Sequence, residues 1–313
     1  SKGIDGFRCD MAEMVPCEFW GWVIPQIKQK HAKLTFIAEV YNPNEYRNYI
    51  HNGHFDYLYD KVGLYDTLRA LTCGYASATA ITGCWQSVND IQSHMLNFLE
   101  NHDEQRIASE FFAGDARKAL PALLVSACMN TNPMMIYFGQ ELGEPGMDSE
   151  GFSGRDGRTT IFDYWSVDSI RRWSNHGRYN LHLLNDQEKE LRHFYQTVLT
   201  LCNKEKAISK GEFFDLMYVN SDGWMMNPHR QYVFMRKCDD ELLLVITNFD
   251  SIPVNISVNI PQHAFDFWGM RQYPEIKSRD LLTGKSEKIA FCADKPVVTD
   301  VPAYGGKILK IKL

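Results

Sequence analysis

The chain has 313 residues, 44% of them hydrophobic and 23% charged, the balance of a soluble globular protein with enough length for two domains. A net charge of −6, a pI near 5.9 and scattered basic residues leave no electrostatic footprint for nucleic acid or an anionic membrane surface. The longest apolar runs, such as 119–129, are far too short to span a bilayer.

In chain order, short apolar runs at 4–10, 34–40, 54–59, 95–101 and 134–138 read as strands. They are rich in Phe, Ile, Leu and Tyr and lack strict polar alternation, as parallel strands buried on both faces do. Longer patterns at 17–31, 60–72 and 116–129 read as helices, the first preceded by Pro16. Alternating β and α elements predict an α/β fold with a parallel sheet, either a barrel or a doubly wound sheet. No G-x-G-x-x-G follows any strand, so nothing points to a dinucleotide. The Gly-, Asp- and Arg-rich stretch 139–158 reads as a long functional loop, followed by a helix near 187–203. Beyond about 205, runs at 232–238, 241–248, 254–260 and 307–313 read as short antiparallel strands. Two domains are therefore expected, 1–204 and 205–313.

The eight cysteines show no C-x-x-C pair or other metal-ligand spacing, and several lie inside apolar runs. They read as core thiols, which favours a reducing compartment such as the cytoplasm. The chain opens on Ser1 with no targeting segment, so localisation is not legible from a leader.

Three acids stand at or just beyond the C-terminal ends of predicted strands: Asp10, Glu39 and Asp103. Their spacings of 29 and 64 residues are close to one and two units of an eight-fold βα barrel of about 250 residues. A carboxylate at the end of a buried strand is costly unless paired or functional. Taken singly, each has a structural explanation, an Arg8–Asp10 salt bridge or a loop cap at Glu39. Taken together, with Arg8 and His102 beside them, they point to one catalytic face.

Gly6-Phe7-Arg8-Cys9-Asp10 is similar to the fourth-strand motif of the α-amylase family of glycoside hydrolases. Phe36-Ile37-Ala38-Glu39-Val40 resembles its fifth-strand motif, and Phe98 to Arg106, with Asn101-His102-Asp103, its seventh. Pro133 to Glu141 resembles the eighth strand and the turn after it. The resemblance implies a (β/α)8 TIM-type barrel, of which only strands four to eight are present, followed by an antiparallel β-sandwich. It implies Asp10 as nucleophile, Glu39 as acid/base and Asp103 as the third carboxylate. Arg8 and His102 would bind substrate, Arg8 keeping Asp10 ionised. Tyr41, beside the acid, is the best sugar-stacking platform, with Trp85 and Trp165 weaker and most other tryptophans assigned to the core. The expected substrate is a starch-type α-glucan or maltooligosaccharide, cleaved with retention.

Glu13 and Met14 stand where the family commonly has a Lys-His pair. The visible motifs build no metal site, and the resemblance leaves room for a calcium site completed by residues outside this chain. Two rival readings remain. An enolase-type barrel would need a strand-terminal Lys and Mg²⁺, and no such Lys is evident. A non-catalytic or transglycosylating relative would serve as a carbohydrate-binding or assembly subunit, although such relatives typically lose one of the acids. Five βα units leave two open sheet edges, so self-association, or pairing with the remaining barrel strands, and little activity of the chain alone are expected.

Overall fold

The computed structural model describes residues 3–148, 154–159, 161 and 167–313. All five predicted parallel strands form: β1 (Gly6–Cys9), β2 (Thr35–Ala38), β3 (Tyr57–Tyr59), β4 (Met95–Phe98) and β5 (Met134–Met135). They are shorter than the apolar runs that contain them. Their order in the sheet is β1-β2-β3-β4-β5, every neighbouring pair parallel. A doubly wound sheet reverses strand order at a switch point. This sheet never reverses, so it is a barrel wall.

The register fixes the site. Gly6 pairs with Thr35 and Cys9 with Ala38, so Asp10 and Glu39 leave the sheet side by side at its C-terminal end. Gly6 is required here, because a Cβ would lie 2.4 Å from the Thr35 carbonyl oxygen. One face of the sheet is covered by helices such as Cys17–Lys30, through Ile24, Phe36, Ala38, Phe55 and Leu58. The other face carries Tyr59, Tyr65, Leu96 and Phe98, with Tyr65 and Phe98 stacked at 4.7 Å. β4, in mid-sheet, is buried along its length, as expected of a two-sided parallel strand. β1 departs from that expectation: it has β2 on one side only among the described residues, and Phe7 is 43% exposed.

The predicted helix 60–72 has a different start. Lys61–Tyr65 is a π-helical turn, and an α-helix runs only over Asp66–Thr72. Asp60 causes the irregularity: its buried carboxylate accepts the Leu64 N–H at 2.9 Å. Burial, opposed by the Leu64 and Gly63 N–H groups, pushes the Asp60 carboxyl up from 3.8 to about 6. The folded state thus holds this proton more tightly than the unfolded chain. The Asp60 contribution to stability is fully present below about pH 4 and is lost as pH rises through 6, about 3 kcal/mol when ionisation is complete. Asp60→Asn keeps an acceptor for Leu64 and removes the charge. Its melting temperature relative to wild type is expected to climb by several degrees between pH 4 and pH 7. A flat difference across that range in thermal melts would refute the assignment.

After Glu205 the chain becomes antiparallel. The strands are β6 (Glu212–Asp215), β7 (Gln231–Cys238), β8 (Glu241–Asn248), β9 (Val254–Val258), β10 (Tyr273–Asp280), β11 (Ser286–Phe291), β12 (Val297–Val301) and β13 (Gly305–Lys312). Six form one sheet in the order β11-β10-β13-β8-β7-β6, and β12 and β9 form a second. A helix at Gln262–Trp268 lies between β9 and β10.

The helix Leu120–Cys128, buried along almost its whole length, packs into the same hydrophobic core as β7, β8 and β13. At Gly306 a Cβ would come within 2.5 Å of Leu124 Cδ1, so the fit is close. Arg236 fastens the junction, donating to the carbonyls of Met129 (2.6 Å), Ala207 (3.0 Å), Ile208 (2.9 Å) and Gly211 (2.7 Å). All eight cysteines are free thiols, Cys17 and Cys128 buried and the others partly so. No helix among the described residues is long and apolar enough to cross a membrane.

Candidate active site

Asp10 sits in the turn after β1. The next residue, Met11, has φ +45°, an unusual conformation for a residue with a side chain, and unusual backbone of this kind clusters at functional sites. That turn places the Met11 N–H 2.7 Å from Glu39 Oε2. The Glu39 N–H in turn donates to the Cys9 carbonyl at 3.1 Å, which extends the β1–β2 pairing to the acids themselves. Arg8 joins the two carboxylates. One terminal nitrogen pairs with Asp10 and the other lies 3.1 Å from Glu39 Oε1. Beneath it is Tyr59 of β3, its ring centroid 5.6 Å from the guanidinium carbon. Burial opposes the charge on Arg8, but contacts with Tyr59 and Asp10 and the pull of Glu39 outweigh it and raise its pKa.

The two acids differ in exposure. The Asp10 side chain is 69% exposed and that of Glu39 10%. Asp103 comes from the loop after β4, where Asn101 Oδ1 accepts the N–H groups of both Asp103 (2.9 Å) and Glu104 (2.8 Å). This Asx turn presents the Asp103 carboxylate and brings His102 Nε2 to 3.3 Å from it. Burial raises the Asp103 pKa; Glu39 and Asp10 add to the rise, while His102 and Arg8 oppose it. Asp103 therefore feels the charges of both other acids, and all three share one site at the C-terminal end of the sheet.

Tyr41 lies at the same end, partly buried. Burial first, then the negative charge of Glu39, pushes its phenol well above the usual range. Its hydroxyl is enclosed without a well-formed hydrogen bond.

Several neighbours escaped the sequence reading. Tyr59, under Arg8, ends a recognised strand, and that position was the signal available. Lys61 stands two residues past β3, held by Asp66 at 2.7 Å and Glu104 at 3.2 Å, with Tyr41 and Tyr65 within 5.8 and 5.0 Å. A lysine near a strand end is thus present after all, committed to two carboxylates. The Met11 N–H has no side-chain signature at all.

The tryptophans need correction. Trp85 belongs to the opposite end of the sheet, its indole N–H bound to Asp215 at 2.8 Å. Trp22 and Trp224 are exposed rather than core. Trp165 and part of the loop 139–158 lie outside the described residues. Glu13 accepts the Asn42 N–H at 3.1 Å, and Met14 is exposed.

Among the described residues no three His, Cys, Asp or Glu side chains converge as a cation site.

The chain is 24% identical over 256 residues to a cyclomaltodextrinase from a Bacillus species, covering 79% of this chain and 39% of that protein. A maltogenic α-amylase from Thermotoga neapolitana superposes with a TM-score of 0.65 at 18% identity, over 99% of this chain and 61% of the other. AmyP, solved with maltose, superposes with a TM-score of 0.68 at 17% identity, over 98% and 64%. These likenesses establish a partial TIM barrel followed by a C-terminal β domain, and the chain spans about two-fifths of the length of the curated relative. The alpha-amylase catalytic-domain family matches residues 1–211, two-thirds of the chain, and on that match the chain belongs to the alpha-amylase family.

Proposed function

We propose that this chain carries the carboxylates of a retaining hydrolase that cleaves α-glucosidic bonds in starch-type α-glucans or maltooligosaccharides. The observation that supports it most is the single guanidinium of Arg8 touching both Asp10 and Glu39. Two carboxyl groups so linked suit the short separation of about 5–5.5 Å that a retaining mechanism uses. Asp10, exposed and paired with Arg8, attacks the anomeric carbon and forms a glycosyl-enzyme. Glu39, enclosed at the base of the turn, protonates the departing oxygen and then takes a proton from the incoming water. Asp103 and His102 bind the sugar hydroxyls and favour the oxocarbenium-like transition state, and Tyr41 offers a ring beside the acid. Family membership and relatives named for maltodextrin and maltose chemistry support this substrate class.

The outer edges of β1 and β5 carry no partner strand among the described residues, and Ile4, Phe7, Met11 and Met14 are exposed near the first. Each such side chain left in water forgoes about 1.5–3 kcal/mol. These edges suit pairing with further strands of the same barrel, or with a second copy of the chain. One preparation tests both statements. By light scattering the chain alone should associate and release little reducing sugar. Supplied with complementary barrel strands, it should release the α-anomer from maltooligosaccharide, read by proton NMR. Release of the β-anomer would exclude the double displacement, and an active monodisperse monomer would exclude the role given to the edges.

A further inference from the structure

A cavity of about 660 Å³ opens at the other end of the parallel strands, between the helix Ala80–Ser87, β6 and the helix Gln262–Trp268. Its wall includes Asn89 and Gln92, which precede β4, and Asn130, which precedes β5. It therefore lies at the N-terminal end of the sheet, away from Asp10, Glu39 and Asp103. Its volume is that of a small-ligand site.

The floor is aromatic. Phe214 is ringed by Tyr218, His263 and Phe267 at centroid distances of 6.4, 5.7 and 5.9 Å, and Trp85 meets Phe213 edge-on at 5.2 Å. Tyr218 and Phe267 are 57% and 58% exposed, so ring area is open to a ligand. The rim is made of amides and carboxylates. No hydrogen bond within the protein engages the side chains of Gln86, Asn89 or Gln92 among the described residues. Asn130, 9% exposed, lines the cavity with its amide nitrogen buried and unpartnered.

The wall contains no Lys or Arg and two carboxylates, Glu212 and Asp215, so it does not suit an anion. Flat rings recognise the C–H faces of a pyranose, and amides, which both donate and accept, match its hydroxyl rim. We propose that this cavity is a second saccharide site, which holds a segment of α-glucan apart from the catalytic carboxylates. The identity of the sugar as α-glucan rests on the proposed activity; the aromatic and amide chemistry does not.

Affinity electrophoresis of the chain in gels containing soluble amylopectin tests the site. Wild type should be retarded. Tyr218→Ala combined with Phe267→Ala should weaken that retention about tenfold, the loss of about 1.4 kcal/mol of contact. Gln86→Ala with Asn89→Ala, on the exposed rim, should weaken it independently. Asp103→Asn, at the opposite end of the sheet, should leave most of it. Absence of retardation, or retention that neither pair of substitutions reduces, would overturn the proposal. Retention that both pairs reduce, in a chain that fails to hydrolyse α-glucan even when supplied with complementary barrel strands, would leave this site standing and remove the proposed activity instead.

Discussion

Asp10→Asn is expected to lower cleavage of maltooligosaccharide by about 10⁴-fold or more in the enzyme carrying this chain, with little effect on folding. The size follows from the role: without a nucleophile no glycosyl-enzyme forms, and losing one in other covalent enzymes costs this much or more. The small effect on folding follows from position, since the Asp10 side chain is mostly in solvent and its main tie is to Arg8. Glu39→Gln gives a different pattern. The amide retains an acceptor for the Met11 N–H, so the turn keeps its shape, but it has no proton for the leaving oxygen. Hydrolysis of maltooligosaccharide should fall steeply. Formation of the glycosyl-enzyme from a maltosyl fluoride, whose leaving group needs no acid, should survive far better. Pre-steady-state rates of glycosyl-enzyme formation on the two substrates separate the roles. Near-normal turnover by Asp10→Asn would end its assignment as nucleophile. Equal losses on both substrates for Glu39→Gln would end the acid assignment.

The three candidate carboxylates stood out in the sequence because of where they lie. Asp10, Glu39 and Asp103 follow apolar runs too short to be anything but strands, where an unpaired charge is expensive, and so each carries information out of proportion to its size. The strand order was legible only in part: alternation predicted a parallel sheet, while the choice of barrel over doubly wound sheet came from resemblance and then from β1-β2-β3-β4-β5 itself. What stayed hidden was carried by contacts between elements distant in sequence. Arg236, in β7, is buried beneath four carbonyls from residues 129 and 207–211, and burial pulls its pKa down to about 10. Trp22 and Trp224 read as core because hydrophobicity does not say which side of a helix or loop meets a partner. The π-turn after Asp60 was invisible for another reason. A single five-residue π turn is too short to shift the apolar period of the segment, and the buried carboxylate that accepts the Leu64 N–H leaves no mark on that pattern.

Arg106→Ala is expected to be the most destabilising single change near the site. Arg106 and Glu100 are 0% and 1% exposed. The guanidinium bonds Glu100 at 2.7 Å, the Phe138 carbonyl at 2.8 Å and Thr159 at 3.1 Å, and it stacks 4.2 Å from the centre of Tyr137. Glu100 also accepts the Ile107 N–H at 2.7 Å, while the Arg106 N–H donates to Gly157 at 2.7 Å. One buried cation thus ties the loop bearing Asp103 to the end of β5 and to the segment around 157–159. Removing it leaves Glu100 charged without a partner where burial already raises its pKa, a loss of about 3–5 kcal/mol. For a chain of this size that corresponds to roughly 10 °C in melting temperature. The pair itself need not be stabilising overall, so Glu100→Leu with Arg106→Leu should recover much of the loss by replacing two charges with packed apolar groups. Activity separates the two consequences. The double variant should regain stability but not full turnover, because the loop that holds His102 and Asp103 would no longer be fastened to β5. A double variant as slow to unfold and as active as wild type would show that this ion pair does nothing to position Asp103. Thermal melts and hydrolysis rates on wild type and these two variants decide the matter.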